Sequence, residues 1–139
     1  MAFADAVAAR LRAHGLLART VQLKVRFGDF HTITRSVTLA SGVDESRSIL
    51  IAARGLLEQV DPSPGVRLLG LSMAGFSPSD TRQLTLDDAL ARPGWGEASR
   101  TIDEIRARFG DAAIGPGSTV GPEGLRPKRR GSQQWGPDA

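Results

Sequence analysis

Cysteine is absent from this chain of 139 residues, and large aromatic side chains are scarce. Without thiolates, neither a disulfide framework nor a zinc–thiolate site can form. A chain without cysteine fits the reducing cytoplasm, where we expect this protein to be located. Aromatic residues make up only 5% of the sequence, so few large anchors are available to a core or an interface.

Long apolar runs are also missing. No stretch approaches the roughly 20 apolar residues that a membrane-spanning helix needs, so we expect no membrane partner. The start of the chain, MAFADAVAARLRAHG, lacks the basic-then-apolar arrangement of a secretory signal. Its apolar residues Phe3, Val7 and Leu11 recur at four-residue spacing instead, which predicts an amphipathic helix over residues 3–14 that ends before Gly15.

The residue combinations that support catalysis are lacking as well. His14 and His31 lie far apart in sequence, no glycine-rich loop precedes a helix, and no nucleophile lies beside a base. Asp87 and Asp88 are adjacent, and sequence neighbours rarely share a metal without distant partners. We therefore predict no catalytic residue, no metal ligand and no cofactor for this chain.

Residues 19–39, RTVQLKVRFGDFHTITRSVTL, contain the most informative pattern. Apolar and polar residues alternate on both sides of a turn near Gly28 and Asp29, which predicts an antiparallel hairpin with one buried and one hydrated face. Gly28 is expected to supply the positive φ of the turn. The apolar positions are Val21, Leu23, Val25, Phe27, Ile33, Val37 and Leu39, and the polar positions are Gln22, Lys24, Arg26, Thr32, Thr34, Ser36 and Thr38. The polar face is basic and rich in hydroxyls, which suits phosphate oxygens.

Arg35 breaks the alternation, because strict alternation would bury it between Ile33 and Val37. Burying a lone guanidinium group is costly. We therefore predict a β-bulge at residues 34–36 that turns Arg35 toward the hydrated face or its edge.

A second helix and a third strand follow the hairpin. Asp44 is the candidate N-cap of a strongly amphipathic helix over residues 45–60. After a Pro- and Gly-rich loop at 61–65, residues 66–75 read as a strand with Leu69, Leu71 and Met73 on one side. This order predicts an α+β fold, a small antiparallel or mixed sheet backed by two helices on one face, with the basic face open.

The amino-acid composition becomes more polar beyond residue 77, where the predicted domain 1–77 ends. Residues 78–94 read as a polar connector, and residues 95–112 contain a short predicted helix at 97–109. The apolar face of that helix would consist of Ala98, Ile102, Ile105 and Phe109. Residues 113–139 are rich in Gly and Pro and carry the basic cluster at 128–130, which predicts a disordered C-terminal extension.

The segments ARTVQLKVRFGDF, ITRSVTL and GVRLLGLSMAGF together resemble the little finger domain of Y-family translesion DNA polymerases, of the bacterial DNA polymerase IV type. In that family the domain holds duplex DNA by its phosphates without reading sequence. The resemblance implies a monomeric, DNA-binding C-terminal part of a polymerase used in replication and repair. By position, it assigns backbone contacts to Arg19, Thr20, Lys24, Arg26, Thr34, Arg35, Ser36 and Arg67.

Two departures from the family limit what the resemblance implies. The family domain usually begins with a strand ahead of the first helix, so we expect a sheet of three strands rather than four. The carboxylates that bind Mg²⁺ in the parent enzyme lie in a palm domain, and no cluster in this sequence replaces them. This chain alone is therefore not expected to polymerise DNA.

Residues 83–86 resemble the bacterial sliding-clamp-binding motif. Leu84 and Leu86 would enter an apolar cleft of the clamp while the amide of Gln83 sets the register, and Thr85 is the small polar residue between them. Asp87 stands where the motif usually has another apolar residue. The competing interpretation is that Thr85 caps a short helix that packs on the domain.

A different class of function stays open at this point. The same face could belong to a free-standing interaction module that binds RNA or protein. Sequence-reading RNA sheets present aromatic side chains for base stacking, and this hydrated face has none because Phe27 points inward. Salt-sensitive retention of duplex DNA would separate the two interpretations.

Overall fold

The computed structural model describes residues 1–81 and 94–125 of the chain. Its larger part contains two helices and three strands in the predicted order. These elements are α1 (Ala2–Ala13), β1 (Leu16–Phe27), β2 (Thr32–Val43), α2 (Ser46–Leu57) and β3 (Val66–Pro78), and a 3-10 turn at Ser79–Thr81 follows them. The predicted α+β class is confirmed.

The three strands form one sheet in the order β2–β1–β3, and both pairings are antiparallel. The middle strand β1 therefore has a neighbour on each side. Lys24, for example, pairs with Thr34 of β2 and with Gly70 of β3. The sheet has three strands, as expected, and no parallel pair within the described residues.

Both helices cover the same face of this sheet. The predicted apolar residues of β1, from Val21 to Phe27, pack against Leu56 of α2 and Val60 just after it. A second cluster joins α1 to Ala18 of β1 and Ile49 of α2. Ile49, Val21 and Val25 are the largest fully buried side chains, so they mark the centre of the core.

The helix ends follow the prediction at α1 and depart from it at α2. His14 is the C-cap of α1, and Gly15 has a φ of 62°, which allows the chain to leave the helix. The N-cap of α2 is Glu45 rather than the predicted Asp44, and no side chain caps this end. Asp44 lies one residue too early, and its carbonyl oxygen instead accepts a hydrogen bond from Arg12 Nη1 at 2.7 Å.

The predicted bulge at residues 34–36 is wrong. Leu23 pairs with Arg35 in an unbroken register, and the irregularity lies farther along, where residues 39–42 face Arg19. Paired residues share a face of the sheet, so Arg35 lies on the helix-covered side with Leu23, not on the hydrated face. It is nevertheless exposed. Because β2 is an outer strand, the long side chain of Arg35 reaches solvent past the edge of the sheet without any bulge.

The hairpin loop also differs from the prediction in one detail. The residue with positive φ is Phe30, at 68°, and not Gly28. The loop therefore places an aromatic side chain where glycine is usually favoured.

A third helix, α3 (Trp95–Phe109), packs beside α1. It starts two residues before the predicted helix. The predicted apolar face of this helix is not buried as a whole, because Ala98 and Phe109 are exposed. Two ion pairs join the helices instead, Arg12 with Asp103 and Asp5 with Arg106.

Residues 113–125 have regular structure where the composition predicts disorder. They form a 3-10 turn at Gly117–Thr119 and a hairpin of β4 (Val120–Gly121) and β5 (Gly124–Leu125). Arg106 Nε donates to the carbonyl oxygen of Ile114 at 2.9 Å, which ties the start of this segment to α3. The basic cluster at 128–130 lies outside the described residues.

Candidate nucleic-acid interface

The face of the sheet that the helices leave uncovered is built from alternate residues of the three strands. We call this surface the open face. The strand register arranges it in four rows across β2, β1 and β3: Thr38–Thr20–Ala74, Ser36–Gln22–Ser72, Thr34–Lys24–Gly70 and Thr32–Arg26–Leu68. The predicted hydrated face of the hairpin is therefore present, and β3 extends it.

The sheet carries cations and no carboxylates. The sequences of β1, β2 and β3 contain no Asp or Glu, whereas they contain Arg19, Lys24, Arg26, Arg35 and Arg67. Lys24 and Arg26 lie on the open face, on its middle strand. With no acidic strand residue to compensate them, they give the open face a positive potential that attracts anions.

Cross-strand hydrogen bonds hold the polar side chains of the open face in place. Arg26 Nε donates to Thr32 Oγ1 at 3.0 Å, which orients the guanidinium plane. Its terminal nitrogens can donate to a ligand, because a guanidinium carries five N–H groups. In the opposite row, the hydroxyls of Thr20 and Thr38 lie 3.2 Å apart. The hydroxyls and the cations are thus presented by a rigid sheet rather than by mobile loops.

The two sides of the open face differ most beside Lys24, where β2 has Thr34 and β3 has Gly70, which has no side chain. On the β3 side, Gly70, Ser72 and Ala74 have short side chains or none. On the β2 side, Thr34 and Ser36 are exposed and offer hydroxyl groups. A nucleic-acid backbone can therefore approach Lys24 closely from the β3 side. Packing alone would tolerate a side chain at Gly70, because an added Cβ would lie 3.8 Å from Lys24 Cβ, an ordinary contact.

The structure brings five of the eight predicted DNA contacts together on the open face: Thr20, Lys24, Arg26, Thr34 and Ser36. The other three lie elsewhere. Arg35 is on the helix-covered side, and Arg19 lies at the register irregularity with its Nε donating to the Leu39 carbonyl at 3.3 Å. Arg67 is the extra residue of a bulge in β3, because Arg26 pairs with Leu68 while Phe27 pairs with Val66.

Sequence reasoning missed several residues around this surface. Gly70 and Ser72 join the open face only because β3 pairs with β1 in one particular register. The alternating pattern also assigns no role to Phe30, which is 61% exposed at the hairpin tip. Its isolated position between Asp29 and His31, outside both alternating strands, was the available signal. The clamp-like motif at 83–86 lies outside the described residues.

Within residues 1–81 and 94–125, no group of three or more His, Asp or Glu side chains is placed to hold a metal ion. None of the helices in the same two ranges is both long and apolar enough to cross a bilayer.

Residues 1–86 match the model of the impB/mucB/samB family C-terminal domain. The chain belongs to this family. The match covers every element from α1 to the 3-10 turn after β3, and it includes the whole open face.

Similar proteins agree with this assignment and confirm the resemblance to bacterial DNA polymerase IV. The chain is 41% identical to DNA polymerase IV of Streptomyces coelicolor over 101 residues. This aligned stretch covers 73% of this chain and 20% of the relative. It is 38% identical to DNA polymerase IV 2 of Mesorhizobium japonicum over 131 residues, and this alignment covers 84% of this chain and 32% of the relative. For DNA polymerase IV of Moorella thermoacetica, the identity is 37% over 112 residues, covering 80% and 28%. The impB/mucB/samB-type chain thus spans a fifth to a third of the length of these relatives.

Proposed function

We propose that this chain is the duplex-DNA-binding, C-terminal part of a translesion DNA polymerase of the polymerase IV type. The observation that carries the proposal is the open face: two cations on its middle strand, hydroxyls beside them, and no carboxylate in any strand of the sheet. Membership of the impB/mucB/samB family and similarity to DNA polymerase IV support the proposal that this surface works beside a polymerase.

The open face is suited to phosphates rather than to base edges. Lys24 offers a compact charge, and Arg26 offers a planar fork that can hold two phosphate oxygens. Thr34 and Ser36 add hydroxyl donors beside these two cations. Contacts of this kind fix a protein on a duplex without selecting sequence.

Catalysis and its Mg²⁺ would belong to other parts of the parent polymerase. In this proposal, the chain supplies grip on the duplex in the cytoplasm during replication and repair, and it acts as a monomer. Residues 83–86 would bind the bacterial sliding clamp and raise the local concentration of the polymerase near the primer end. Their place in the sequence supports this, since Gln83 comes two residues after the 3-10 turn at Ser79–Thr81 that ends the described part of the domain.

The DNA-binding proposal is tested by reversing charge on the open face. In the full chain, Lys24→Glu with Arg26→Glu should weaken binding to a labelled blunt duplex by at least about tenfold and lower the salt slope by about 2. Fluorescence anisotropy at about 50 and 200 mM salt measures both quantities. The matched control is Arg54→Glu with Arg100→Glu, two exposed arginines on α2 and α3 that change the net charge equally.

Equal losses in the two double variants would mean that only net charge matters, and the proposed surface would be wrong. A wild-type chain that shows no salt-sensitive retention of duplex would favour a protein-binding module instead. Circular dichroism of each variant verifies that the sheet and helices are intact.

The clamp proposal needs a separate measurement. Leu84→Ala with Leu86→Ala should abolish binding of the full chain to a purified bacterial sliding clamp in surface plasmon resonance. The DNA affinity should not change, because the strands that build the open face end at Pro78, before this motif in the sequence. A clamp that binds the double variant as well as it binds the wild type would leave the helix-capping interpretation of Thr85 in place.

A further inference from the structure

The loop between β1 and β2 has a defined hydrogen-bonded geometry. Phe30 N–H donates to the Phe27 carbonyl at 3.0 Å, and Phe27 N–H donates to the His31 carbonyl at 2.8 Å. Asp29 Oδ1 accepts from His31 N–H at 2.9 Å. This pattern is a three-residue hairpin loop whose last residue adopts the left-handed conformation, a position that strongly favours glycine.

Phe30 occupies that position with a φ of 68°, and it is the only non-glycine residue with positive φ in the described parts of the chain. A bulky side chain is disfavoured there because its Cβ crowds the following carbonyl oxygen. Burial does not compensate the strain, since Phe30 is 61% exposed. Strained residues of this kind concentrate at ligand-binding sites.

The loop does not need the Phe30 ring for its own stability. Gly28 N–H donates to the Gly65 carbonyl at 2.9 Å, which fixes the loop to the segment before β3. The rings of Phe27 and His31 stack at its base with a centroid distance of 6.3 Å. These contacts hold the backbone whether or not residue 30 carries a ring.

A cation already lies against one face of the Phe30 ring. The bulge in β3 brings the Arg67 guanidinium to 4.5 Å from the ring centroid. This distance is within the range of a cation–π contact. The pair therefore presents an exposed aromatic surface together with a positive charge, a combination that attracts a nucleobase and its phosphate.

The pair lies at one end of the open face. Thr32 and Leu68, the outer members of the last row, follow Phe30 and Arg67 closely in sequence. A duplex that lies parallel to the strands, crossing the four rows, would leave the sheet near this tip. Bases inside a duplex are already stacked on both sides, so only an unpaired or terminal base can offer its face to a ring.

We propose that Phe30 and Arg67 form a stacking site for an unpaired nucleobase, where single-stranded DNA continues from the duplex on the open face. This site rests on the proposed function, because the open face must hold the duplex that leads to it. Phe30 supplies the stacking surface, and Arg67 adds charge for the adjoining phosphate.

The test compares a blunt duplex with the same duplex extended by a short single strand, using the full chain. The wild type should bind the extended DNA about tenfold more tightly, which is typical of stacking one base on an aromatic side chain. Phe30→Gly should remove this preference and leave the blunt-duplex affinity unchanged. Phe30→Tyr should retain it.

A loss of binding by Phe30→Gly would not be due to unfolding. Glycine suits the left-handed conformation at residue 30, so Phe30→Gly should melt at the same temperature as the wild type or higher. A 2-aminopurine base at the first unpaired position should be quenched by the wild type and not by Phe30→Gly. Arg67→Ala should weaken the preference partly.

The stacking site is overturned if the wild type shows no preference for the extended DNA, or if Phe30→Gly weakens both substrates equally. In either case, blunt-duplex binding that depends on Lys24 and Arg26 would leave the proposed function standing. If no DNA binds at all, both proposals fail together. If the single strand binds but the blunt duplex does not, the duplex grip is wrong, and the stacking site is overturned as the continuation of a duplex held on the open face.

Discussion

Arg12 of α1 binds Asp103 of α3 through two parallel hydrogen bonds, from Nε to Oδ2 at 2.5 Å and from Nη2 to Oδ1 at 2.9 Å. Its remaining nitrogen, Nη1, donates to the carbonyl oxygen of Asp44 ahead of α2. Burial lowers the pKa of Arg12, but the hydrogen bond and charge of Asp103, with smaller contributions from Asp44 and Asp5, outweigh it and raise the pKa above its ordinary value. One arginine thus joins α1, α2 and α3.

A second pair reverses the polarity of the first. Arg106 of α3 donates to Asp5 of α1 at 2.8 Å, and both side chains are mostly buried, at 12% and 19% exposed. Since α3 contributes no buried residue of its own, these pairs connect it to the domain together with a cation–π contact, in which the Arg47 guanidinium lies 5.3 Å from the centroid of the Trp95 ring.

Asp103→Ala should loosen the attachment of α3 to α1, because it removes the carboxylate partner of the Arg12 guanidinium at a site only 9% exposed. We expect a loss of about 1–3 kcal/mol and faster tryptic cleavage within α3. Thermal melting and limited proteolysis measure the two effects. The matched control is Glu104→Ala, which removes the same charge from an exposed neighbouring position.

The effect of Asp103→Ala should not vary between about pH 6 and 9. A folded-state pKa that is raised gives a contribution that is complete below the unfolded value and is lost only as the pH rises through the folded value. For Arg12, both values lie far above this window. An effect that disappears within it would indicate that another group titrates.

Two glycines should respond oppositely to substitution by alanine. At Gly42, an added Cβ would lie 2.8 Å from Leu17 Cβ, a buried atom close to the backbone that cannot move away cheaply. We expect Gly42→Ala to destabilise the fold by about 1–3 kcal/mol. At Gly55, in α2, nothing lies within 4 Å, so Gly55→Ala should stabilise the helix by about 0.5–1 kcal/mol. Urea unfolding measures both, and a destabilised Gly55→Ala variant would contradict the described surroundings of α2.

Arg35 and Lys24 should differ in their effect on DNA binding. Both are exposed cations of the hairpin, but the register places Lys24 on the open face and Arg35 on the other side of the sheet. Lys24→Glu should therefore weaken duplex binding at least severalfold more than Arg35→Glu at about 0.1 M salt, where charges beyond about 10 Å are screened. Anisotropy titrations of the two single variants decide this. A larger loss for Arg35→Glu would move the DNA to the edge of β2.

The loop between α2 and β3 should lose stability in acid. Asp61 Oδ1 accepts hydrogen bonds from the Ser63 hydroxyl at 2.5 Å and from Ser63 N–H at 2.9 Å. The side-chain hydrogen bond, followed by the backbone one, lowers the pKa of Asp61. A lowered folded-state pKa stabilises the fold above the unfolded value and ceases to do so as the pH falls through the folded value.

Asp61→Ala should therefore melt below the wild type at pH 7, and the difference should shrink below about pH 4, where ordinary Asp side chains are protonated. In a Ser63→Ala background, Asp61→Ala should lower the melting temperature less at pH 7, since the hydrogen bond from the Ser63 hydroxyl is already lost. A gap in melting temperature that stays constant down to pH 2.5 would show that this carboxylate makes no such contribution.

The alternation of side chains along a strand is enough to predict which residues in the second half of β1 are buried and which are not. Successive residues of a strand point to opposite faces, so the spacing of Val21, Leu23 and Val25 predicts which side meets the helices. The identity of Lys24 and Arg26 as residues of the uncovered side follows from the same rule. These inferences need no knowledge of any distant residue, and the structure confirms them.

Contacts between distant residues decided the rest. The pairing of β1 with both neighbours placed Lys24 between Thr34 and Gly70, and it put Arg35 at an outer edge where it can reach solvent. Asp103 lies 91 residues from Arg12, and Arg106 lies 101 residues from Asp5. No local pattern encodes such partners, because side-chain spacing along a strand or helix specifies a face but not what will lie against it. The left-handed backbone of Phe30 likewise arises from the closure of the whole hairpin.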